Sequence, residues 1–173
     1  MNSPVIIDIF RNITEKTSVN LGMSLNYMHG HPKEITDSLT ELTKNPTASA
    51  GKYPLVALFQ DFEEDKSGDF TKVKLQMIIA VLTRNTMKAP ERYDASFRPY
   101  LYPIYEELIR VIARSGYFNE STVKQVKHIK VDRLFWGRNG LYGNQGNIFN
   151  DFVDCIEIKN LSLNVKPIKS YKY

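Results

Sequence analysis

Residues 53–59 read YPLVALF, a run apolar on both faces that a strand would present. Such a strand belongs inside a sheet, with Pro54 tolerated at its beginning. It leads into DFEEDKSGD at 61–69, an acidic stretch containing Ser67-Gly68 that reads as a hairpin loop. From 70 to 83 a long strand returns, with Val73, Leu75, Met77, Ile79 and Val81 on one face. On its other face Lys72, Lys74 and Gln76 give way to Ile78, Ala80 and Leu82, so one end of that face is wet and the other covered.

The remaining elements are arranged around this hairpin. Val5, Ile6, Ile9, Phe10 and Ile13 recur at helical spacing behind Ser3 and Pro4, which suit an N-cap and first turn, so a helix is expected over 4–16. Leu21, Met23, Leu25 and Tyr27 alternate with smaller or polar residues and predict a short strand ended by Gly30 and Pro32. Ile35, Leu39 and Leu42 allow a short helix, and KNPTASAG at 44–51 reads as a flexible loop reaching residue 52.

Phe97, Tyr100, Leu101, Ile104, Tyr105, Leu108, Ile109 and Ile112 form the strongest helical stripe in the chain. Ser96 is its expected cap, Pro99 its first turn and Gly116 its stop. Pro103 then implies a kink, or a helix that begins near Leu101. Strands are expected over 126–136 and 152–165, separated by a glycine-rich loop at 137–150. In the last strand, Ile156 and Ile158 differ in parity from Leu161, Leu163 and Val165. A β-bulge near Lys159-Asn160 would bring all five to one face. The order predicts a single α+β domain over 1–173: one largely antiparallel or mixed sheet with a long helix and an N-terminal helix packed on it.

Composition narrows the function classes. The net charge of +4 is mild, and the bases are scattered. The exception is Lys166, Lys169 and Lys172, interleaved with Tyr171 and Tyr173. These read as a frayed tail at 167–173 rather than a phosphate-binding surface. Cys155 is the only cysteine, which excludes an intramolecular disulfide and fits a reducing compartment. No apolar run approaches the ~20 residues of a membrane span, and no signal peptide is visible. A soluble protein made in a cytoplasm is expected, with no membrane partner.

No catalytic constellation or cofactor motif is legible, and none is expected. His29 and His31 have a spacing found in metal sites, but no further ligands are marked, so they are weak metal candidates. Asp65, Ser67 and Asp69 imitate a calcium loop, with the glycine misplaced and no bidentate Glu following. Cys155 lies in a strand without a nearby base, as a packing residue would. The glycines at 137–146 match neither dinucleotide nor P-loop spacing. What remains are residues suited to protein contacts. These are the acids Asp61, Glu63, Glu64 and Asp65, the charges Arg92 and Arg98 at the start of the long helix, and the aromatics Phe135, Trp136 and Tyr142 beside or within the glycine-rich loop.

The stretches KYPLVALFQDFEED (52–65), APERYDASFRPYLYPIYEELIRVI (89–112) and DFVDCIEIKNLSLNV (151–165) resemble small structural proteins of tailed phages and prophages. Their element order is similar to that of the tail terminator family. The segments at 28–51 and 137–150 do not fit a minimal member.

The resemblance implies a ring, usually of six subunits, on the head-proximal end of the tail tube. The ring would stop tube polymerisation and dock to the head connector. DNA would pass through its lumen only transiently. It also implies a virion protein, present in the host cytoplasm before assembly, whose partners are its own copies, the tail tube protein and a connector or neck protein. A ring needs two complementary edges on each subunit and no catalytic group. The nearest alternative is a head-completion or neck protein of the same particle. Alternatives of other classes are a small metal-dependent hydrolase or nuclease using His29 and His31, and a nucleic-acid-binding module using the basic C-terminus.

Overall fold

The computed structural model describes residues 5–136 and 151–167. The expected cap at Ser3 and Pro4, the glycine-rich loop with Tyr142, and nearly all of the C-terminal tail lie outside these residues. The chain forms α1 (Ile6–Leu21), β1 (Asn26–Gly30), α2 (Pro32–Thr43), the single turn α3 (Pro46–Ser49), β2 (Leu55–Asp65) and β3 (Thr71–Leu82). There follow α4 (Ala89–Arg92), a π-helical segment (Tyr93–Leu101), α5 (Tyr102–Arg114), a 3-10 turn (Val123–Gln125), β4 (Lys127–Arg133) and β5 (Val153–Val165). The strands make one five-stranded sheet in the order β1-β2-β3-β5-β4. The β1–β2 pair is parallel and the others are antiparallel. This is the expected α+β architecture.

The doubly apolar strands dictate two cores. On one face Val56, Leu58, Val73, Leu75, Met77, Ile79 and Val81 pack against α1, the π-helical segment and α5. On the other, Leu55, Ala57, Phe59, Ile78, Ala80, Val153 and Cys155 meet Ile35 and Leu39 of α2 and the indole of Trp136. Fully burying one such aliphatic side chain stabilises the fold by about 1.5–3 kcal/mol. Exposing either face would therefore forfeit the stability of an ordinary domain.

Three expected boundaries move, each for a physical reason. α1 runs five residues beyond Lys16 because Thr14 and Thr17 are buried, their hydroxyls donating to the carbonyls of Phe10 and Ile13. The helix stops where Gly22 takes φ 60°, with the amide of Met23 reaching the Ser18 carbonyl at 3.1 Å. Leu21 therefore belongs to the helix, and the strand expected over 21–27 forms at Asn26–Gly30 instead.

The helix expected from Ser96 begins at Ala89, where Glu91 accepts from the amide of Lys88 at 2.8 Å. Ser96 is buried inside the π-helical segment. The wide turns there accommodate Pro99, which lacks an amide hydrogen and would crowd the Ala95 carbonyl in α geometry. They also rotate the apolar stripe, leaving Tyr100 exposed while Phe97 and Leu101 stay buried. α geometry resumes at Tyr102, just before Pro103.

Third, β2 continues through the acidic residues to Asp65, so the hairpin loop is shorter than expected and lies between Asp65 and Thr71. The segment at 44–52 contains α3, and its last residue is fixed. Lys52 is buried, its ammonium 2.6 Å from Asp151.

The bulge in β5 is where the sequence places it. Leu75 pairs with Leu161 and Met77 with Ile158, so Lys159 and Asn160 together oppose Gln76. Asn160 takes φ 52° to do so. Ile156, Ile158, Leu161, Leu163 and Val165 consequently share the α1/α5 core. Asn and Gly tolerate this left-handed backbone, and a β-branched side chain does not. Asn160→Val is expected to lower unfolding stability by about 1–3 kcal/mol, and Asn160→Gly by much less, in urea denaturation. Equal losses from the two variants would refute the role given to this conformation.

Candidate assembly surface

The last six residues of β2, its acidic arm, stand at the margin of the sheet, while β3 behind them stays paired with β5 as far as Thr71 and Val165. β1 ends with Gly30 paired to Phe59, so residues 60–65 of β2 have no outer neighbour among the described residues. At the base of the arm three residues, 60–62, oppose Leu75 alone. An irregularity of this kind bends and twists the strand. At its tip the carboxylate of Asp65 accepts from the amide of Ser67 at 2.9 Å and from its hydroxyl. These bonds hold the Asp65 carboxyl below the usual aspartate range.

Asp61, Glu63, Glu64 and Asp65 are all exposed on this arm. Glu63 and Asp65 lie opposite Lys74 and Lys72 in the ladder. Beyond them a shallow cleft of about 440 Å³ runs past Glu120 and Asn164 to Lys127. A second cleft of about 450 Å³ lies between α1 and α5, lined by Lys16, Glu107, Arg110 and Arg114 among others.

β4 forms the opposite margin of the sheet. Its outer edge is unpaired among the described residues. It carries Lys127, Lys130 and Arg133, of which Lys130 pairs with Asp132 at 2.5 Å and Arg133 with the buried Glu157 of β5 at 3.1 Å. Its inner side is secured to α5. Tyr102 donates to Asp132 at 2.8 Å, and Lys130 sits over the rings of Tyr102 and Tyr105. Burial and this carboxylate contact push the Tyr102 phenol up to about 12. Nδ1 of His128 lies 2.7 Å from the Val126 carbonyl and must donate, which leaves Nε2 to accept from Tyr105 at 2.7 Å.

Two of the expected contact residues turn out to be internal. Arg92 is 2% exposed, and its guanidinium pairs with the buried Asp154 at 2.7 Å. It also donates to the carbonyls of Arg84 and Met87 and stacks 3.8 Å over the ring of Phe135. The Phe135 amide in turn donates to Asp154 at 3.2 Å. The expectation of an intersubunit partner for Arg92 thus gives way to an internal junction, which ties the 83–88 loop, the start of the helical run, the end of β4 and the start of β5.

Trp136 is buried as well. It stacks on Phe59 and caps the second core rather than offering a ring to a neighbour. Phe135 is half-buried and Arg98 is exposed.

His29 and His31 do not share a face. His29 lies in β1 with Nδ1 2.8 Å from Gln60, while His31 caps α2, its Nδ1 accepting from the Lys33 amide. Among the described residues no three His, Cys, Asp or Glu side chains are grouped to hold a metal ion, and no helix is long and apolar enough to cross a membrane.

The structure thus brings the four acids together on one marginal stretch of β2 and keeps Arg98 at the surface. It removes Arg92 and Trp136 from the list of surface contacts. Sequence reading missed the basic β4 edge. Its signal is Lys127, Lys130 and Arg133 in a seven-residue strand with few apolar positions, the composition of an exposed edge.

Removing one member of a buried ion pair leaves the other charge uncompensated. Arg92→Met is expected to cost about 3–5 kcal/mol in urea unfolding, and the double variant Arg92→Met/Asp154→Leu less than the sum of its parts. Additive losses would show that the two residues do not act as a pair. Cys155 is buried, and desolvation raises its thiol well above the ordinary value. A maleimide should label it only after denaturation, and rapid labelling of the native chain would contradict this burial. No protein-family model matches the chain, and comparison with curated proteins finds no significant relative.

Proposed function

We propose that this chain is a structural protein of a tailed phage or prophage particle, acting as a tail terminator. Its copies close into a ring on the head-proximal end of the tail tube, stop tube growth and present a face to the head connector. The observation that carries this reading is the pair of open margins on one sheet, an acidic arm on one side and a basic strand on the other. A ring requires two different and mutually complementary patches on every subunit, and these margins differ in sign and in shape. The resemblance of residues 52–165 to tail terminators supports the same reading. So does the order of helix, hairpin-bearing sheet, long helix and returning strands. The internal junction at Arg92 and Asp154 fits a part whose work is to hold a rigid shape.

Electron microscopy of particles made without this gene tests the proposal. Abnormally long tails lacking heads are the expected product. Tails of normal length beside filled, unjoined heads would replace the terminator role with head completion. Intact virions would overturn both.

A further inference from the structure

We infer that the acidic arm, residues 60–65 of β2, docks along the outer edge of β4 in a second copy of this chain. The inference rests on the ring reading above and gives that ring its contact.

The backbone supplies the first argument. A strand edge without a partner presents a row of N–H and C=O groups that another strand can satisfy. The notch above Gly30 leaves six residues of β2 open, and β4 offers seven. β2 is antiparallel to β3, β3 to β5 and β5 to β4, so β2 and β4 run in opposite directions. Copies related by a modest rotation about a ring axis therefore bring the two together antiparallel. Within one copy Arg133 lies level with Leu55, through Cys155 and Ala80. A neighbour reaching the notch must be displaced along the strands. A closed ring absorbs such an offset by tilting its strands against the axis, as a barrel does.

Charge supplies the second argument and selects the pairing. Residues 60–65 carry four carboxylates and no base, whereas residues 127–133 carry three bases and one acid, with Lys130 held by Asp132 and Arg133 by Glu157 within the subunit and Lys127 exposed. Arm against arm would oppose carboxylates, and β4 against β4 would oppose ammonium and guanidinium groups, both destabilising across a strand pair. Only arm against β4 is attractive, and that contact is heterologous, the kind that builds rings. Both sides of the joint match. Glu64 shares the strand face of Phe62, which packs toward the α1/α5 core, and Lys130 is on that same side beside Tyr102. Glu63 and Lys127 lie on the opposite side, linked within one copy by the row Glu63, Lys74, Ser162, Lys127. Ile129, 53% exposed on β4, would be covered by the incoming arm.

Sedimentation velocity of the full chain tests this with charge exchange. The unmodified chain should self-associate, and more weakly as salt rises. Glu63→Lys/Glu64→Lys and Lys127→Glu/Lys130→Glu should each sediment as monomers, their association weakened at least about tenfold. An equimolar mixture of the two should reassemble, since each arm then meets an edge of opposite sign. Reassembly also shows that both variants are folded.

A monomeric unmodified chain at every concentration reached, assembly of either variant alone as strong as the original, or a mixture that stays monomeric would each overturn the contact. Headless long tails in the gene deletion together with any of these results would reject the contact and keep the tail role. Intact deletion virions together with reassembly of the mixture would keep the contact and reject the tail role.

Discussion

Two faces of one sheet must be kept from water, and the rest of the molecule follows from that requirement. β2, β3 and β5 carry apolar side chains alternately above and below the sheet, so neither face can remain open. α1 and the long helical run cover one side. α2, with Trp136 as an additional lid, covers the other. The bulge at Lys159 and Asn160 serves the same end. Without the extra residue, either Ile156 and Ile158 or Leu161, Leu163 and Val165 would turn to the wrong side.

Charge is partitioned sharply over this scaffold. Inside, the buried charges Arg92 and Lys52 face Asp154 and Asp151, and the guanidinium fills its remaining donors with backbone carbonyls. Such pairs hold loops to the sheet with defined geometry, and losing one partner costs more than the intact pair contributes. Outside, the carboxylates of the arm and the ammonium of Lys127 are exposed, where each charge adds little to stability, while Lys130 and Arg133 are held by Asp132 and Glu157. Their value lies in recognition, where opposite signs on opposite margins distinguish one docking mode from its competitors.

Much of this was legible in the residues themselves. The double apolar faces of 53–59, the parity of 70–83 and the parity break after Ile158 are local patterns, and each became the strand or bulge it implied. Helix limits were less legible. The extension of α1 depends on Thr14 and Thr17 finding a dry neighbour, and the phase of the long helix on π turns around Pro99. Neither leaves a trace in local periodicity. The contact surface was half legible. The run of acids is visible in sequence, but whether Arg92 and Trp136 face out or in depends on Asp154 and Phe59, residues far away along the chain.

The sequence by itself determined the central strands β2, β3 and β5, their parity, the bulge and the acidic stretch, because each arises from the chemistry of neighbouring residues. The tertiary structure alone decided which strands stand at the margins and which charges are buried. The order β1-β2-β3-β5-β4 sends β4 to the outside after a crossover of the chain, and only that placement turns Lys127, Lys130 and Arg133 into an edge facing away from the arm. Strand order is a property of long-range pairing, set by which faces fit together in space, and no local pattern of side chains encodes it.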